Sequence, residues 1–436
     1  MKHIQAVLFS VMFAAMLALV GCGGGGGSHD SDGGDVTPPV FSIAIAPQTV
    51  VIQTGETLTL EATVNQGGVT WPAVVQNATL TPSGNTVTFT TNTSGTYTIT
   101  VTADNDPGQT ATATIMAYRF TDIAYPGADN TYVIGIDTSG RVFGSYQDAS
   151  GANSGYSHGF VYDGASYTPI VYPNAINTDV IDIDASGQVF GSYRDASGQY
   201  HGFMYDGTTY ASIDYPNAIE THVIDINASG RVLGSYRDAS SQYHHGFMYD
   251  GVTYIPIVYP NAISTSPTDI DASGRVLGQY RDASGQFHSF MYDGATYTPI
   301  VYPNAIATFA TGIDTLGRVF GSYRDTSGAS TNSGDWHGFV YDGTTYSPIV
   351  YPNASGETEI VGIDAAGRIF GIYLMSTTDG SFNEHSFVYE YDGAAYTAID
   401  YPGSGITDTD MKGVNALGQF FGMYSDATGI HLFVAH

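Results

Sequence analysis

Seven histidines recur along the second part of the chain, His158, His201, His245, His288, His337, His385 and His431, each in a His-x-Phe triplet and 43 to 49 residues apart. Imidazoles at this density invite metal binding or acid–base chemistry. A catalytic site in a repeat array, however, needs one or two residues that are not repeated, whereas one His per repeat serves the same structural task in each copy. The spacing therefore predicts structural histidines. Gly155-Tyr156-Ser157-His158-Gly159 matches the G-x-S-x-G string of serine hydrolases. That string works on a strand-to-helix elbow, and here it runs into a strand, so no nucleophile is assigned. Asp182-x-Asp184-x-Ser186-Gly187, with copies beginning at Asp225 and Asp269, repeats the first half of an EF-hand loop. The twelfth place is Tyr193, Tyr236 or Tyr280, so the bidentate acid is missing and the turns read as Asx-capped hairpins. No metal ligand or cofactor is assigned, with calcium the one ion that the general acidity favours.

Departures from the repeat carry more information. From the tyrosine of each unit's second strand to its His the step is 7 to 9 residues in four units. It is 12 from Tyr146 to His158, 14 from Tyr323 to His337 and 12 from Tyr373 to His385. The longer connections bring Tyr156, Asp335, Trp336, Phe382 and Glu384 to one face, and the connections between units add His222, Glu357, Glu359, Asp408, Asp410 and Lys412. Aromatic faces beside carboxylates suit a carbohydrate or peptide ligand. A polysaccharide lyase or glycosidase is the alternative, with Glu357, Glu359, Asp408 and Asp410 as the least repetitive acids; a glycosidase needs two of them roughly 5 to 10 Å apart. A purely structural envelope protein is the third reading.

The elements that position these residues follow from a second mark, Tyr-x-x-Ile-x-Tyr-Pro, at Tyr167, Tyr210, Tyr254, Tyr297, Tyr346 and Tyr396, with a looser copy from Phe120 to Pro126. One unit holds four short strands separated by Asp184-Ala185-Ser186-Gly187, Asp195-Ala196-Ser197-Gly198 and Asp206-Gly207, all turn chemistry. Four strands in about 43 residues is the size of a propeller blade. The last unit stops after its third strand, and residues 118–125 supply a lone fourth. The expectation is an all-β chain in which 118–436 forms a seven-bladed β-propeller closed by its N-terminal strand. The run Gly312-Ile313-Asp314-Thr315-Leu316-Gly317-Arg318-Val319-Phe320-Gly321, followed by His337-Gly338-Phe339-Val340-Tyr341, resembles the bacterial extracellular HAF repeat. Gly, Ser or Leu replaces the Ala, and Asp usually replaces the Asn that Asn227 and Asn415 retain. The resemblance implies export and brings no activity.

Ahead of the array, residues 40–117 alternate apolar and Thr residues, as in Thr57-Leu58-Thr59-Leu60 and Thr96-Tyr97-Thr98-Ile99-Thr100-Val101. Period two with Gly55, Gly84 and Gly95 as punctuation predicts a β-sandwich. Thr54-Gly55-Glu56-Thr57-Leu58-Thr59-Leu60, then Val69-Thr70-Trp71, resembles the bacterial Ig-like group 2 domain, which implies a spacer with Trp71 in its core. Residues 22–39 read as a Gly/Ser-rich tether. Residues 1–21 read as a lipoprotein signal peptide: Lys2, an uncharged run from Ile4 to Val20, then Leu19-Val20-Gly21-Cys22. This resembles the bacterial lipobox, which implies lipidation of Cys22, the only cysteine, and a membrane-anchored protein at the outer membrane or cell surface. The net charge of −29 repels phosphate backbones and excludes nucleic acid as a partner.

Overall fold

The computed structural model describes residues 41–149, 156–239, 243–325, 335–352, 354–378, 380–390 and 395–436. Cys22 and the segments expected to be a signal peptide and a tether lie outside them. Among the described residues every regular element is a strand, arranged in nine four-stranded sheets, and Ser42–His436 forms one compact unit.

Two sheets use residues 43–118. One orders Ile43–Ala46, Thr57–Val64, Thr86–Thr91 and Ala78–Ser83; the other orders Thr49–Gln53, Thr110–Tyr118, Gly95–Ala103 and Val69–Thr70. Their alternating apolar residues meet in one core around Leu60, Phe89, Ile99 and Ile115. Trp71 lies in that core with its indole N–H donating to the Gly84 carbonyl (3.1 Å).

The other seven sheets, here sheets 1 to 7, follow in chain order as antiparallel meanders. In sheet 2 the strands are Asn177–Ile183, Val189–Arg194, Tyr200–Tyr205 and Tyr210–Ile213. First strands of successive sheets neighbour one another except between sheets 5 and 6, where the first strand of sheet 6 meets the second and third strands of sheet 5, and the first strand of sheet 1, Ala128–Ile136, neighbours that of sheet 7, Asp408–Val414. The sheets thus form a ring with the first strands innermost: a β-propeller. Sheet 7 is completed by Phe120–Asp122, which pairs antiparallel with Gly429–Ala435. The ring therefore closes through hydrogen bonds between the two ends of the array, leaving no open edge there.

Both sequence marks are packing devices. The Phe of each His-x-Phe is buried at the centre of its sheet, from Phe160 to Phe433. It fits because the second strand carries Gly opposite: a Cβ on Gly191 would stand 2.1 Å from the Asp179 carbonyl oxygen and 2.7 Å from the Phe203 ring. Full burial of one such ring contributes about 2 to 3 kcal/mol. In Tyr-x-x-Ile-x-Tyr-Pro the first Tyr hydroxyl accepts an amide of the preceding sheet, as Tyr210 does from Val171 (3.1 Å). The Ile is buried, and the second Tyr stacks on the second-strand Tyr of the next sheet, Tyr172 on Tyr193 at 3.6 Å. The closing strand repeats both contacts, with Ala124 N–H donating to Tyr167 (3.2 Å) and Tyr125 stacked on Tyr146.

The sandwich seats on the end of the ring formed by the turns between first and second strands. Met116 and Tyr118 pack with Phe370 and Phe420, and an Arg368 guanidinium N–H donates to Thr96 Oγ1 (3.1 Å). The connections from fourth to first strands lie at the opposite end.

Candidate functional site

The repeated histidines are occupied by the scaffold. Each stacks on or tilts against the second-strand Tyr of its own sheet, as in Tyr193–His201 and Tyr424–His431. Most also bond a turn carboxylate: His158 with Asp148 (3.1 Å), His288 with Asp282 (2.9 Å), His337 with Asp325 (3.1 Å). His385 uses Asp400 instead (3.1 Å), and that bond holds the imidazole pKa above its usual range. The Asp-Ser-Gly turns are filled likewise. Asp271 Oδ1 accepts from Ser273 and from the Arg275 amide, and its Oδ2 from Arg275 Nε (2.6 Å). Oxygens committed to N–H and O–H donors form Asx turns, not cation ligands. Among the described residues no group of three His, Cys, Asp or Glu side chains is placed to hold a metal ion.

The sequence-predicted residues fall in four places. Tyr156 is half-buried just ahead of the third strand of sheet 1; the connection before it lies outside the described residues. Asp335 and Trp336 stand at the third strand of sheet 5, where Trp336 packs on Phe309 (5.4 Å) beneath Arg324 (5.9 Å). His222 lies beside Tyr200 and His244, its pKa lowered by burial and then by His244. It belongs to the first strand of sheet 3, Ala218–Ile226, rather than to a connection. Glu359, Asp410 and Lys412 likewise sit within first strands, Thr358–Ile363 and Asp408–Val414. In sheet 6 the expected long loop is an extended hairpin. The ladder continues through Leu374–Glu384, Met375–Asn383 and Ser376–Phe382, leaving Phe382 exposed at its tip.

Sheets 6 and 7 bring the predicted acids together. Glu357, Glu359 and Glu384 line one small cavity of about 80 Å³. Glu359 and Asp410 also line a larger cavity of about 390 Å³ with Lys412, bounded by the first strands of sheets 4 to 7. Asp408 accepts the Glu384 amide (3.1 Å) and so fixes the start of that side chain. Burial, followed by the Asp410 charge, lifts Glu384 to a pKa of about 6. Glu359 is raised by burial and by Glu357. Lys412 pairs with Asp410 Oδ2, whereas Asp410 Oδ1 is buried without a hydrogen-bond donor.

One feature escaped the sequence reading. Asp182, Asp225 and Asp269, taken as the opening residues of turn motifs, stand side by side at the inner wall of sheets 2 to 4. Two of them reach across to the next sheet: Asp225 Oδ2 accepts the Ile270 amide (3.1 Å) and Asp269 Oδ2 the Ile313 amide (2.7 Å), while Asp182 Oδ1 accepts the Ile183 amide of its own strand. Burial raises all three pKa values, Asp182 to about 7, and Asp225 is raised further by the carboxyls of Asp269 and Asp182 on either side of it. A β-bulge between Val180 and Asp182, and its copies in the neighbouring sheets, sets this orientation. Strict period two would have placed Asp182 on the Val180 face.

No family model matches the chain. No curated protein matches it either. Among solved structures it is similar to the β-propeller domain of the Trilobed protease from Pyrococcus furiosus, at 10% identity and a TM-score of 0.49 over 71% of this chain and 94% of that one. It is similar to Pyrococcus horikoshii acylaminoacyl peptidase at 11% identity and a TM-score of 0.48, over 71% of this chain and 52% of that one. The six-bladed fucose-binding lectin of Aleuria aurantia shows 13% identity and a TM-score of 0.31 over 66% of this chain and 97% of that one. At such identities nothing that these proteins bind or cleave transfers to this chain.

Proposed function

We propose that the chain is an exported lipoprotein, held to a membrane through Cys22, that acts as a binding or adhesion scaffold. In this reading the seven propeller sheets are the blades of an HAF-type ring. The sandwich is an Ig-like spacer, and the ring end away from it presents the ligand site. The supporting observation is the break in the repeat at sheets 6 and 7. There Glu357, Glu359, Glu384, Asp410 and Lys412 gather at cavities. A carbohydrate or a protein segment fits an acidic, partly apolar recess of this size, at the low end of ligand pockets.

The test has two arms on the full-length protein. Labelled acyl chain should enter the wild type and not Cys22→Ala. The mature chain should select ligands from a glycan and peptide array and lose them, by about tenfold or more, in Glu359→Gln. An unacylated wild type overturns the anchor, and an array without selective ligands overturns the scaffold. An enzymatic second reading draws on Glu384, whose pKa near 6 suits a general acid. Turnover of any array ligand would favour the enzyme.

A further inference from the structure

We infer that the cavity between the sandwich and sheets 6 and 7 binds a small carboxylate, held by Tyr118, Arg368 and His436. It lies at the sandwich end of the ring, away from the acids described above. Its volume is about 230 Å³, with Thr96, Ala117 and Tyr118 of the sandwich on one side and Arg368, Gln419 and His436 of the ring on the other. In a chain of net charge −29, no Asp or Glu among the described residues lines it. The observation that points to a ligand is the Tyr118 hydroxyl. Tyr118 is only 6% exposed and its ring packs on Phe420 (4.9 Å). Its hydroxyl makes no hydrogen bond among the described residues, yet keeps accessible surface in the cavity that the residue lines. A buried tyrosine ordinarily finds a partner for that group. Burial pushes its pKa up to about 12, so the proton stays on and the group remains a donor.

Two more donors are set by the bonds around them. Arg368 gives Nε to Asp364 (2.7 Å) and Nη1 to Thr96 (3.1 Å). That leaves Nη2, which lies over Gly418 where a Cβ would collide with it. The Arg368 guanidinium and the Tyr118 hydroxyl are close enough for each to shift the ionisation of the other. Asn415 donates to Gln419 Oε1 (2.8 Å), so the Gln419 amide presents Nε2 to His436 Nδ1 (3.3 Å). His436 Nδ1 therefore accepts, and the imidazole carries its proton on Nε2. Gln419 is a break in the repeat, for five of the other six sheets carry Arg at this place, from Arg141 to Arg368. Arg119 and Arg368 offset Asp364 and Glu390 nearby, so the surroundings are neutral and the unfilled groups are donors. A cation finds no acid here, whereas a carboxylate accepts from all three and gains a charge-assisted bond from Arg368. Such a ligand bonds sandwich and ring at once.

The test titrates the full chain calorimetrically with propionate against propionamide, glucuronate against glucose, and inorganic phosphate. A carboxylate bound at least about tenfold tighter than its neutral counterpart supports the inference, and the pair that responds tells a free acid from a uronate sugar. Tyr118→Phe removes the hydroxyl and keeps the ring packing; it should weaken binding at least about fivefold with an unchanged melting curve. Arg368→Lys keeps the charge and loses the fork, and should weaken binding by at least as much. Equal binding of carboxylate and neutral probe overturns the inference, as does no saturation by either carboxylate at about 10 mM. Phosphate bound more tightly than both carboxylates also overturns it. Carboxylate binding that survives Tyr118→Phe but is lost in Glu359→Gln belongs to the recess at the opposite end of the ring and sinks this site.

Discussion

Sheets 2 to 4 and the remaining four propeller sheets build the same inner wall by opposite means. In sheets 2 to 4 the residue after the bulge is Asp182, Asp225 or Asp269, and the carboxyls of Asp225 and Asp269 tie one sheet to the next. In sheets 1, 5, 6 and 7 the position is Gly135, Gly312, Gly362 or Gly413, and hydrophobic groups fill the space. A Cβ would stand 2.2 Å from the Phe143 ring at Gly135, 2.2 Å from Phe320 at Gly312 and 2.3 Å from Phe421 at Gly413. One arc is stitched by carboxyls and the other is plugged by rings. The larger cavity lies mainly along the plugged arc, between sheets 4 and 7. A repeat can thus keep its outer strands nearly constant and still vary what faces its channel, because that single position decides whether side chain or space is presented.

Transplanting the stitch into the plugged arc should do the most damage. Gly413→Asp drives a carboxyl into the Phe421 ring and into a site without the matching amide; overpacking and a buried charge together cost at least about 3 kcal/mol. Chemical denaturation should show that loss, and a variant within about 0.5 kcal/mol of wild type would break the distinction between the arcs. Removing the stitch should cost less. Asp225→Ala leaves the Ile226 and Ile270 amides without their acceptor, a loss of about 1 to 3 kcal/mol. No ring compensates, since the facing second-strand residue in sheet 3 is Leu233 rather than Phe.

Why the stitched arc was hidden in the sequence while the ring was not is a matter of period. The Tyr and His marks recur seven times, and each has a local reason visible in its neighbours: Gly beneath Phe, Pro after the stacking Tyr. The propeller sheets were therefore legible strand by strand. Asp182 was not, because a one-residue bulge reverses the face that alternation assigns. In the sandwich, Thr49–Gln53 reads Thr-Val-Val-Ile-Gln without alternation, and Thr110–Tyr118 begins Thr-Ala-Thr-Ala-Thr, with little hydrophobic contrast. Thr49–Gln53 also pairs parallel with that strand, a partner 65 residues away along the register Thr49 to Thr114. At the candidate site the unrepeated acids stood out in the sequence. The approach of Glu384 to Asp408, which accepts its amide, did not, for it joins a third strand of one sheet to the first strand of the next. The Trp336 aromatic cluster, at sheet 5, belongs to a different part of the ring from the acids grouped with it.

The finest test of the comparison is protonation. Carboxyls raised by burial bind protons more tightly folded than unfolded, so their contribution is complete below the ordinary carboxylate range and is lost as pH rises. For Asp182 the loss runs from the unfolded value of 3.8 up to about 7, and Asp225, Asp269 and Glu384 act in the same sense. The turn acids act oppositely: Asp195, lowered to about 2 by its Ser197 and Gln199 bonds, adds stability that falls away only on acidification below about 4. Between pH 5 and 8 the stitched arc should therefore set the carboxyl part of the slope, and melting temperature should decline with pH. Asp182→Asn isolates it. Its amide oxygen can still accept the Ile183 N–H that Asp182 Oδ1 holds at 2.7 Å, so at pH 5, where Asp182 is neutral, the change should cost under about 1 kcal/mol. At pH 8 the wild type carries a charge there beside Asp225 and the variant does not, so the order should reverse and the Asn form should melt higher. Parallel melting curves for the two proteins from pH 5 to 8 would mean that Asp182 ionises normally and that the stitch holds no proton.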